Sequence, residues 1–160
     1  MAQLTTLLET VNLALSSPPL TDAALKASKA YLFLVPSSSA TSASRELIAG
    51  CVVAQRIETA LALAPGPGPG LLPVHIDPAT SLYVRPTPVP AALGVARVFV
   101  AATRRRCGIA RVLLAAAART FVHGCPLDPA AGAVAFSQPT LLGRAVMQAW
   151  GGDAVRIYEE

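Results

Sequence analysis

A strand, a tight turn and a helix follow one another without a break between Val95 and Gly124. The stretch "VARVFVA" is an apolar run of strand length, "TRRRCG" contains a turn, and "IARVLLAAAARTFVHG" is rich in good helix formers. Gly124 is well placed to end that helix. A buried strand that runs directly into a helix must pack the helix on its own sheet, which favours a layered α/β or α+β domain.

The N-terminal half predicts two helices and a hairpin. The first helix has its apolar residues on one face: Leu4, Leu7, Leu8, Val11 and Leu15. A short second helix follows in "TDAALKASKA", with Thr21 or Asp22 as its N-cap. Ala30–Val35 and Glu46–Ile57 read as two strands around a polar turn, which is typical of an antiparallel hairpin. Gly50 in the second strand marks a bulge or a close backbone approach.

The C-terminal part continues the alternation of strands and helices. Ala133–Ser137 predicts a strand, a helix opens after Pro139 and closes at Gly151 and Gly152, and "AVRIYEE" predicts a final strand. The segment from Leu63 to Leu93 is rich in proline and glycine, and we expect a long irregular insertion there, with residues 64–74 as a flexible loop. The sequence therefore predicts one domain over residues 1–160, with helices packed on a mixed sheet.

Composition excludes several classes of protein. With 53% hydrophobic and 14% charged residues, the chain is too apolar for a solvated disordered tail. Its three cysteines and two histidines lack the spacing of a zinc site or a disulfide framework, and an intracellular setting is expected. No apolar run is long enough to span a membrane, and the N-terminus lacks the basic region of a signal peptide. The net charge of +4 is too small for a strongly basic nucleic-acid-binding face.

The strand–turn–helix segment has the features of a phosphate-binding site. The first amides of a helix have no intrahelical acceptor, and the helix dipole adds positive potential there. Gly108 allows a close backbone approach just before the helix. The chain has neither GxxxxGK[ST] nor GxGxxG, which argues against a P-loop or a dinucleotide-binding turn. What remains is Arg105–Ala110, of the form R-x-x-G-x-A.

This loop resembles the acetyl-CoA loop of the GNAT N-acetyltransferases, [QR]-x-x-G-x-[GA] between a strand and a helix. Linked motifs are similar to the catalytic domain of the Eco/Esco-type cohesin acetyltransferases. They are "GVARVFV" at 94–100, "RRCGIA" at 105–110, "FVHG" at 121–124 and "AFSQPT" at 135–140. The hairpin and "AWGGDAVRIY" resemble further parts of that family, so the resemblance covers most of residues 30–158.

The resemblance implies the GNAT fold, a mixed central sheet with helices on both faces, and a nuclear lysine N-acetyltransferase. Acetyl-CoA would be its co-substrate, with no metal, and the SMC-subunit head of cohesin its protein substrate, with no membrane and no direct nucleic-acid partner. The residues that the resemblance assigns to cofactor binding are Phe99, Val100, Ala101, Arg105, Arg106, Cys107, Gly108, Ile109, Ala110, Arg111, Val112, Thr140, Leu141 and Leu142. The zinc finger and sliding-clamp-binding segment usual in the family are not visible in this sequence.

The catalytic positions depart from the family pattern. Gln138 stands where better-known members carry Asp, and the family's helical Glu aligns with Ala115. Because Gln cannot act as a general base, we expect Ser137 and Gln138 to position the substrate, with an oxyanion-stabilising amide near Val100. Deprotonation would then run through water, Ser137 and backbone carbonyls, or use a carboxylate from elsewhere. The carboxylates considered are Glu46, Asp77 and Asp153.

Two other functions stay open from the sequence. One is a GNAT enzyme for a small amine or a protein N-terminus, and the other is a non-catalytic adaptor that binds nucleic acid through Arg104–Arg106.

For the remaining residues, structural roles are expected. Cys51 and Cys125 are predicted to be buried, Trp150 and Tyr158 to belong to the core, and His123 to complement the end of the long helix.

Overall fold

The computed structural model describes residues 2–37, 46–64, 74–77, 82–137, 139 and 141–159. Within these ranges the chain forms four α-helices and one eight-stranded sheet. The helices are α1 (Ala2–Leu15), α2 (Asp22–Lys26), α3 (Ile109–Thr120) and α4 (Leu141–Gly151). The strands are β1 (Ser28–Pro36), β2 (Glu46–Arg56), β3 (Thr59–Ala64), β4 (Val74–Asp77), β5 (Leu82–Pro90), β6 (Leu93–Val100), β7 (Val134–Ser137) and β8 (Arg156–Tyr158).

The sheet is mixed, in the order β1-β2-β6-β7-β8-β3-β5-β4. Its centre, β6-β7-β8, is parallel, and the flanking pairs are antiparallel. Parallel neighbours need a crossover connection, and α3 and α4 supply the two that join β6 to β7 and β7 to β8. This confirms the predicted strand–helix alternation and places the carboxyl ends of β6 and β7 at the same edge.

Helices cover both faces of the sheet, as predicted. The core under α3 and α4 includes Leu114 and Met147, which pack with strand residues such as Phe136. On the other face, α1 and α2 cover a smaller cluster that contains Val11 and Val53. Val11 is fully buried, which confirms the predicted apolar face of α1. None of the helices in the described ranges has the length and hydropathy to cross a membrane.

The prediction of an irregular segment from Leu63 to Leu93 is wrong where the structure describes it, since β4 and β5 lie there. The three prolines of β5 alternate at positions 86, 88 and 90. The Ala91 amide donates to the Glu58 carbonyl on the β3 side, so the amide of Val89 also faces β3, and Pro88 and Pro90 face away. Proline lacks an N–H and is tolerated where that N–H would meet no neighbouring strand. Most of the predicted 64–74 loop lies outside the described residues.

One of the two predictions of a buried cysteine is confirmed, and the other is wrong. Cys51 is fully buried on β2, and burial raises the pKa of its thiol from 9.0 to about 11. Cys125, predicted to be buried, is exposed because α3 ends at Thr120 and the chain turns at the surface, where the Cys125 amide donates to the Val122 carbonyl. Tyr158 is buried, and Trp150 packs edge-on against Phe136, which confirms their core roles.

Candidate functional site

The central strands part from one another at the edge where the phosphate loop was predicted. β6 and β7 pair at Leu93–Val134, Gly94–Ala135 and Val95–Phe136, and the pairing stops there. β6 then continues to Val100, whereas β7 ends at Ser137. The two parallel strands therefore leave an opening between them, lined on one side by the backbone of β6.

A bulge in β6 lies where the pairing stops. Val53 of β2 is opposite Arg97 and Ala54 is opposite Val95, so Ala96 is an extra residue on β6. The Ser137 hydroxyl donates to the Ala96 carbonyl at 3.0 Å, which occupies a group that a continued ladder would use. The bulge and this side-chain hydrogen bond together account for the divergence of the two strands.

Backbone direction decides which amides of β6 face the opening. The Ala101 amide donates to the Ala49 carbonyl of β2 at 2.9 Å. N–H groups alternate along a strand, so the Phe99 amide also faces β2, while those of Val98 and Val100 face the open side. Of the three residues predicted to pair with the cofactor through their backbone, only Val100 therefore presents its amide to the opening. The Ala101 amide is already used within the sheet.

The turn after β6 has a backbone shape suited to an anion. A 3-10 turn at Ala102–Arg104 leads to Arg106 at φ 64° and Gly108 at φ 77°, both left-handed. Gly108 is the N-cap of α3, and no side chain caps the helix. A left-handed residue followed by a right-handed helical one directs successive amides into one concavity. The first amides of α3 thus lie open beside the free edge of β6, as the phosphate-site prediction requires.

The charged side chains in this turn and in the first turn of α3 are all basic. Arg104, Arg105, Arg106 and Arg111 are all exposed, and the sequence contains no Asp or Glu from position 78 to 127. The Arg105 Nε donates to the Val100 carbonyl at a long 3.4 Å, which brings its guanidinium back toward β6. Basic side chains and helix-start amides together create a positive potential that suits phosphate groups.

A close approach between β2 and α3 fixes where the helix begins. A Cβ built on Gly50 would lie 2.8 Å from Cγ2 of Ile109 and 3.1 Å from Cδ1 of Leu113. Next to it, Ala49 is an extra residue of β2 opposite β1, because Phe33 pairs with Gly50 and Leu34 pairs with Ile48. Both sequence interpretations of Gly50, the bulge and the close approach, are therefore confirmed.

The predicted catalytic positions are only partly described. Ser137 ends β7 at the opening, with its hydroxyl on the Ala96 carbonyl. Gln138 and Thr140 lie outside the described residues, as do the side chains of Leu141 and Leu142, whose backbone opens α4. Their assigned roles stay predictions.

The alternative carboxylates are not gathered at Ser137. Asp153 precedes β8 and lies at the amino ends of the parallel strands, opposite the edge where Ser137 lies. Glu46 begins β2, four residues before Gly50, and the Asp77 side chain is outside the described part of the chain. No group of His, Cys, Asp and Glu side chains that could hold a metal occurs among the described residues.

A groove of about 390 Å³ lies on the β8 side of β7. It is lined by β3 and the end of β8, and its acidic residues are Glu58 and Glu159. Tyr158, which also lines it, is the register partner of Ser137. Sequence reasoning missed this groove, because the acidic "YEE" ending gives no sign that it lies beside the turn between β2 and β3.

Comparisons with known proteins agree with this geometry. Residues 89–158 match the family model described as ESCO1/2 acetyl-transferase. The chain is 43% identical over 58 residues to N-acetyltransferase eso1 of Schizosaccharomyces pombe, covering 36% of this chain and 6% of that protein. It is 41% identical over 71 residues to N-acetyltransferase ECO1 of Yarrowia lipolytica, covering 44% of this chain and 25% of that protein. The matches thus span a quarter or less of these relatives' length.

Solved structures extend the likeness to nearly the whole chain. The xEco2 acetyltransferase domain bound to a CoA conjugate superposes with a TM-score of 0.76 at 22% identity, covering 99% of this chain and 84% of that one. A second structure of the xEco2 acetyltransferase domain gives a TM-score of 0.70 at 23% identity, covering 95% and 78%. Over residues 89–158 the chain therefore matches the ESCO1/2 acetyltransferase family, and its overall fold is that of an Eco2 acetyltransferase domain.

Proposed function

We propose that this chain is an acetyl-CoA-dependent lysine N-acetyltransferase domain that acts in the nucleus on the SMC subunit of cohesin, to establish sister-chromatid cohesion. The observation that carries the proposal is the divergence of β6 from β7 beside the uncapped start of α3. That arrangement combines an unpaired strand edge with a phosphate-binding helix start. The likeness to a domain whose structure contains a CoA conjugate supports the same cofactor here.

In this proposal acetyl-CoA lies along β6. Its pyrophosphate is held by the amides at the start of α3, its pantetheine follows the free edge of β6, and its thioester lies near the point of divergence. Arg105 and Arg106 add charge at the phosphate end. The amides of Val98 and Val100, which face the open side, are then available to the pantetheine and to the oxyanion of the tetrahedral intermediate.

The acceptor lysine enters from the groove beside β8. Its amine must be neutral when it attacks the thioester carbon, so its proton has to leave on the same side. The exposed carboxylates of Glu58 and Glu159 attract a basic substrate segment toward Ser137. Holding the amine and the thioester together supplies the proximity contribution to the rate, and water in the open groove carries the proton away.

Acetyl-CoA titration by calorimetry is the first test. We expect a Kd in the micromolar range or tighter for the wild-type protein, about −8 kcal/mol. Arg105→Ala should weaken it by roughly 5- to 10-fold, the loss of about 1 kcal/mol from one exposed phosphate contact. Arg119→Ala is the matched control, since Arg119 is exposed in the last turn of the same helix and should leave the Kd unchanged. Absence of acetyl-CoA binding would exclude the proposal.

Mass spectrometry of acetyl transfer identifies the acceptor. A lysine-containing peptide from an SMC head should be modified at lysine, and Glu58→Gln or Glu159→Gln should raise its KM about 2- to 5-fold without changing the KM for acetyl-CoA. Glu9→Gln on α1 is the control for a lost surface charge. Acetylation of small amines with an untouched peptide would remove the cohesin assignment and leave the acetyltransferase.

A further inference from the structure

Among the residues that the structure describes, Arg97 is the charged one that is buried, with 5% of its surface exposed. It interrupts the apolar strand β6 at the residue after the bulge. Burying a guanidinium is costly unless its donors are satisfied. Such a residue in the middle of the site strand therefore needs a reason beyond packing, and its contacts supply one.

The guanidinium joins three separate parts of the fold. Its Nε donates to Oδ1 of Asn12 on α1 at 3.0 Å, and one terminal nitrogen donates to the Pro18 carbonyl at 2.8 Å. The other terminal nitrogen donates to the Ala96 carbonyl at 2.7 Å. A planar guanidinium spreads its donors over three nitrogen atoms in fixed directions, whereas the three donors of a lysine ammonium all radiate from one nitrogen.

The Ala96 carbonyl receives a second donor, the Ser137 hydroxyl. Both lone pairs of the bulge carbonyl are therefore occupied, one by the end of β7 and one by Arg97. Two donors on this one oxygen fix the direction of the Ala96 carbonyl. The next amide directed into the opening is that of Val98, so the orientation of this peptide sets the direction of the free backbone edge.

We propose that Arg97 is a positioning residue for acetyl transfer. It holds the peptide at the β6 bulge in place and connects it to α1 and to the α1–α2 connection. The amides of Val98 and Val100 therefore stay directed at the thioester. It acts through Ala96 and Asn12 and does not touch the phosphate turn. The proposal rests on the acetyltransferase function proposed above, and it predicts a loss of turnover without a loss of cofactor affinity.

The test compares kcat with cofactor binding in two variants. Arg97→Lys should lower kcat for peptide acetylation about 10- to 100-fold, the scale of a misplaced reacting group, with the acetyl-CoA Kd within about 3-fold of wild type. Asn12→Leu removes only the α1 acceptor and should lower kcat in the same direction. Asn12→Asp keeps an acceptor oxygen at that position and should have a kcat close to that of the wild type. The rates are normalised to the fraction of protein that binds acetyl-CoA.

Amide hydrogen exchange supplies a readout that needs no substrate. In Arg97→Lys, exchange should rise together in peptides that cover residues 5–18 and 93–101, and stay unchanged across α3. Unchanged exchange in those two peptides, or an unchanged kcat per binding-competent molecule, would overturn the proposal. If the wild-type protein bound no acetyl-CoA, the proposed function would fail, and the exchange experiment would still decide whether Arg97 couples α1 to the bulge.

Discussion

Replacing Gly50 by alanine tests whether the contact between β2 and α3 sets the position of the phosphate-binding helix start. The new methyl would lie 2.8 Å from Cγ2 of Ile109 and 3.2 Å from the Phe99 carbonyl oxygen. Ordinary carbon–carbon contacts are about 3.5–4.0 Å, so the first of these is too short by roughly 1 Å. Ile109 is β-branched and stiff at χ1, and the carbonyl is backbone, so the helix start has to move.

The size of the effect follows from two opposing contributions. Overpacking costs about 1–3 kcal/mol, and the lost backbone freedom of glycine in the unfolded chain returns about 0.4–1 kcal/mol. A net loss of about 1–2 kcal/mol should lower Tm by roughly 2–8 °C for a chain of this size. The displaced amides of α3 should also weaken acetyl-CoA binding about 5- to 10-fold in calorimetry.

Gly94→Ala is the matched control. Its Cβ would lie 2.8 Å from both Ile57 and the Tyr158 ring, a clash of the same size on the opposite face from α3. We expect a similar loss in Tm and no change in acetyl-CoA affinity. Ile109→Leu, which removes the branch that Gly50→Ala meets, should relieve part of the cost in the double variant. A Gly50→Ala protein with lowered Tm and wild-type affinity would refute the link between this contact and the phosphate site.

Three further predictions follow from local structure. Because burial raises the Cys51 pKa to about 11 in the folded state, from 9.0, the unfolded state loses its proton first as pH rises. Stability should therefore be lost between pH 9 and 11, by up to about 3 kcal/mol, and chemical denaturation of wild type against Cys51→Ala isolates that part. A thiol reagent at pH 8 should label the exposed Cys107 and Cys125 in the native protein and Cys51 only after unfolding. In β5, Pro88→Ala should be tolerated, whereas Val89→Pro removes an N–H that faces β3 and should cost more than about 1 kcal/mol in urea denaturation; equal stabilities would contradict the strand register.

Local signals were sufficient for the elements around the phosphate turn. β6 and β7 are runs of strand length and α3 is rich in helix formers, although α3 ends at Thr120, four residues before the stop predicted at Gly124. Their order favours parallel strands joined by crossover helices. The capped start of α2 at Thr21 was equally readable, and its hydroxyl accepts from the Ala24 amide. These features depend on neighbours within a few residues, so a sequence pattern contains most of the relevant energetics.

The rest depended on contacts far apart in the chain. The alternating prolines of β5 suit a strand only when the side that lacks N–H groups meets no partner, and local pattern does not identify that partner. The extra residue at Ala96 has no local sequence signal, because the bulge is defined by the pairing of β6 with β2. Cys125 was expected to be buried from residue type alone, and the surface turn after α3 decided otherwise.

The sequence by itself determined a layered α/β domain and the strand–turn–helix that ends at an anion-binding helix start, because strand, turn and helix preferences there all agree. Only the tertiary structure decided which backbone amides of β6 are free, since that depends on the pairing of Ala101 with Ala49 across the sheet. It also decided the role of Arg97, whose sequence signal is a lone charge in an apolar strand. The role of a buried charge depends on which groups accept its hydrogen bonds. Two acceptors of Arg97, Asn12 on α1 and Pro18 after α1, lie 85 and 79 residues away in the chain.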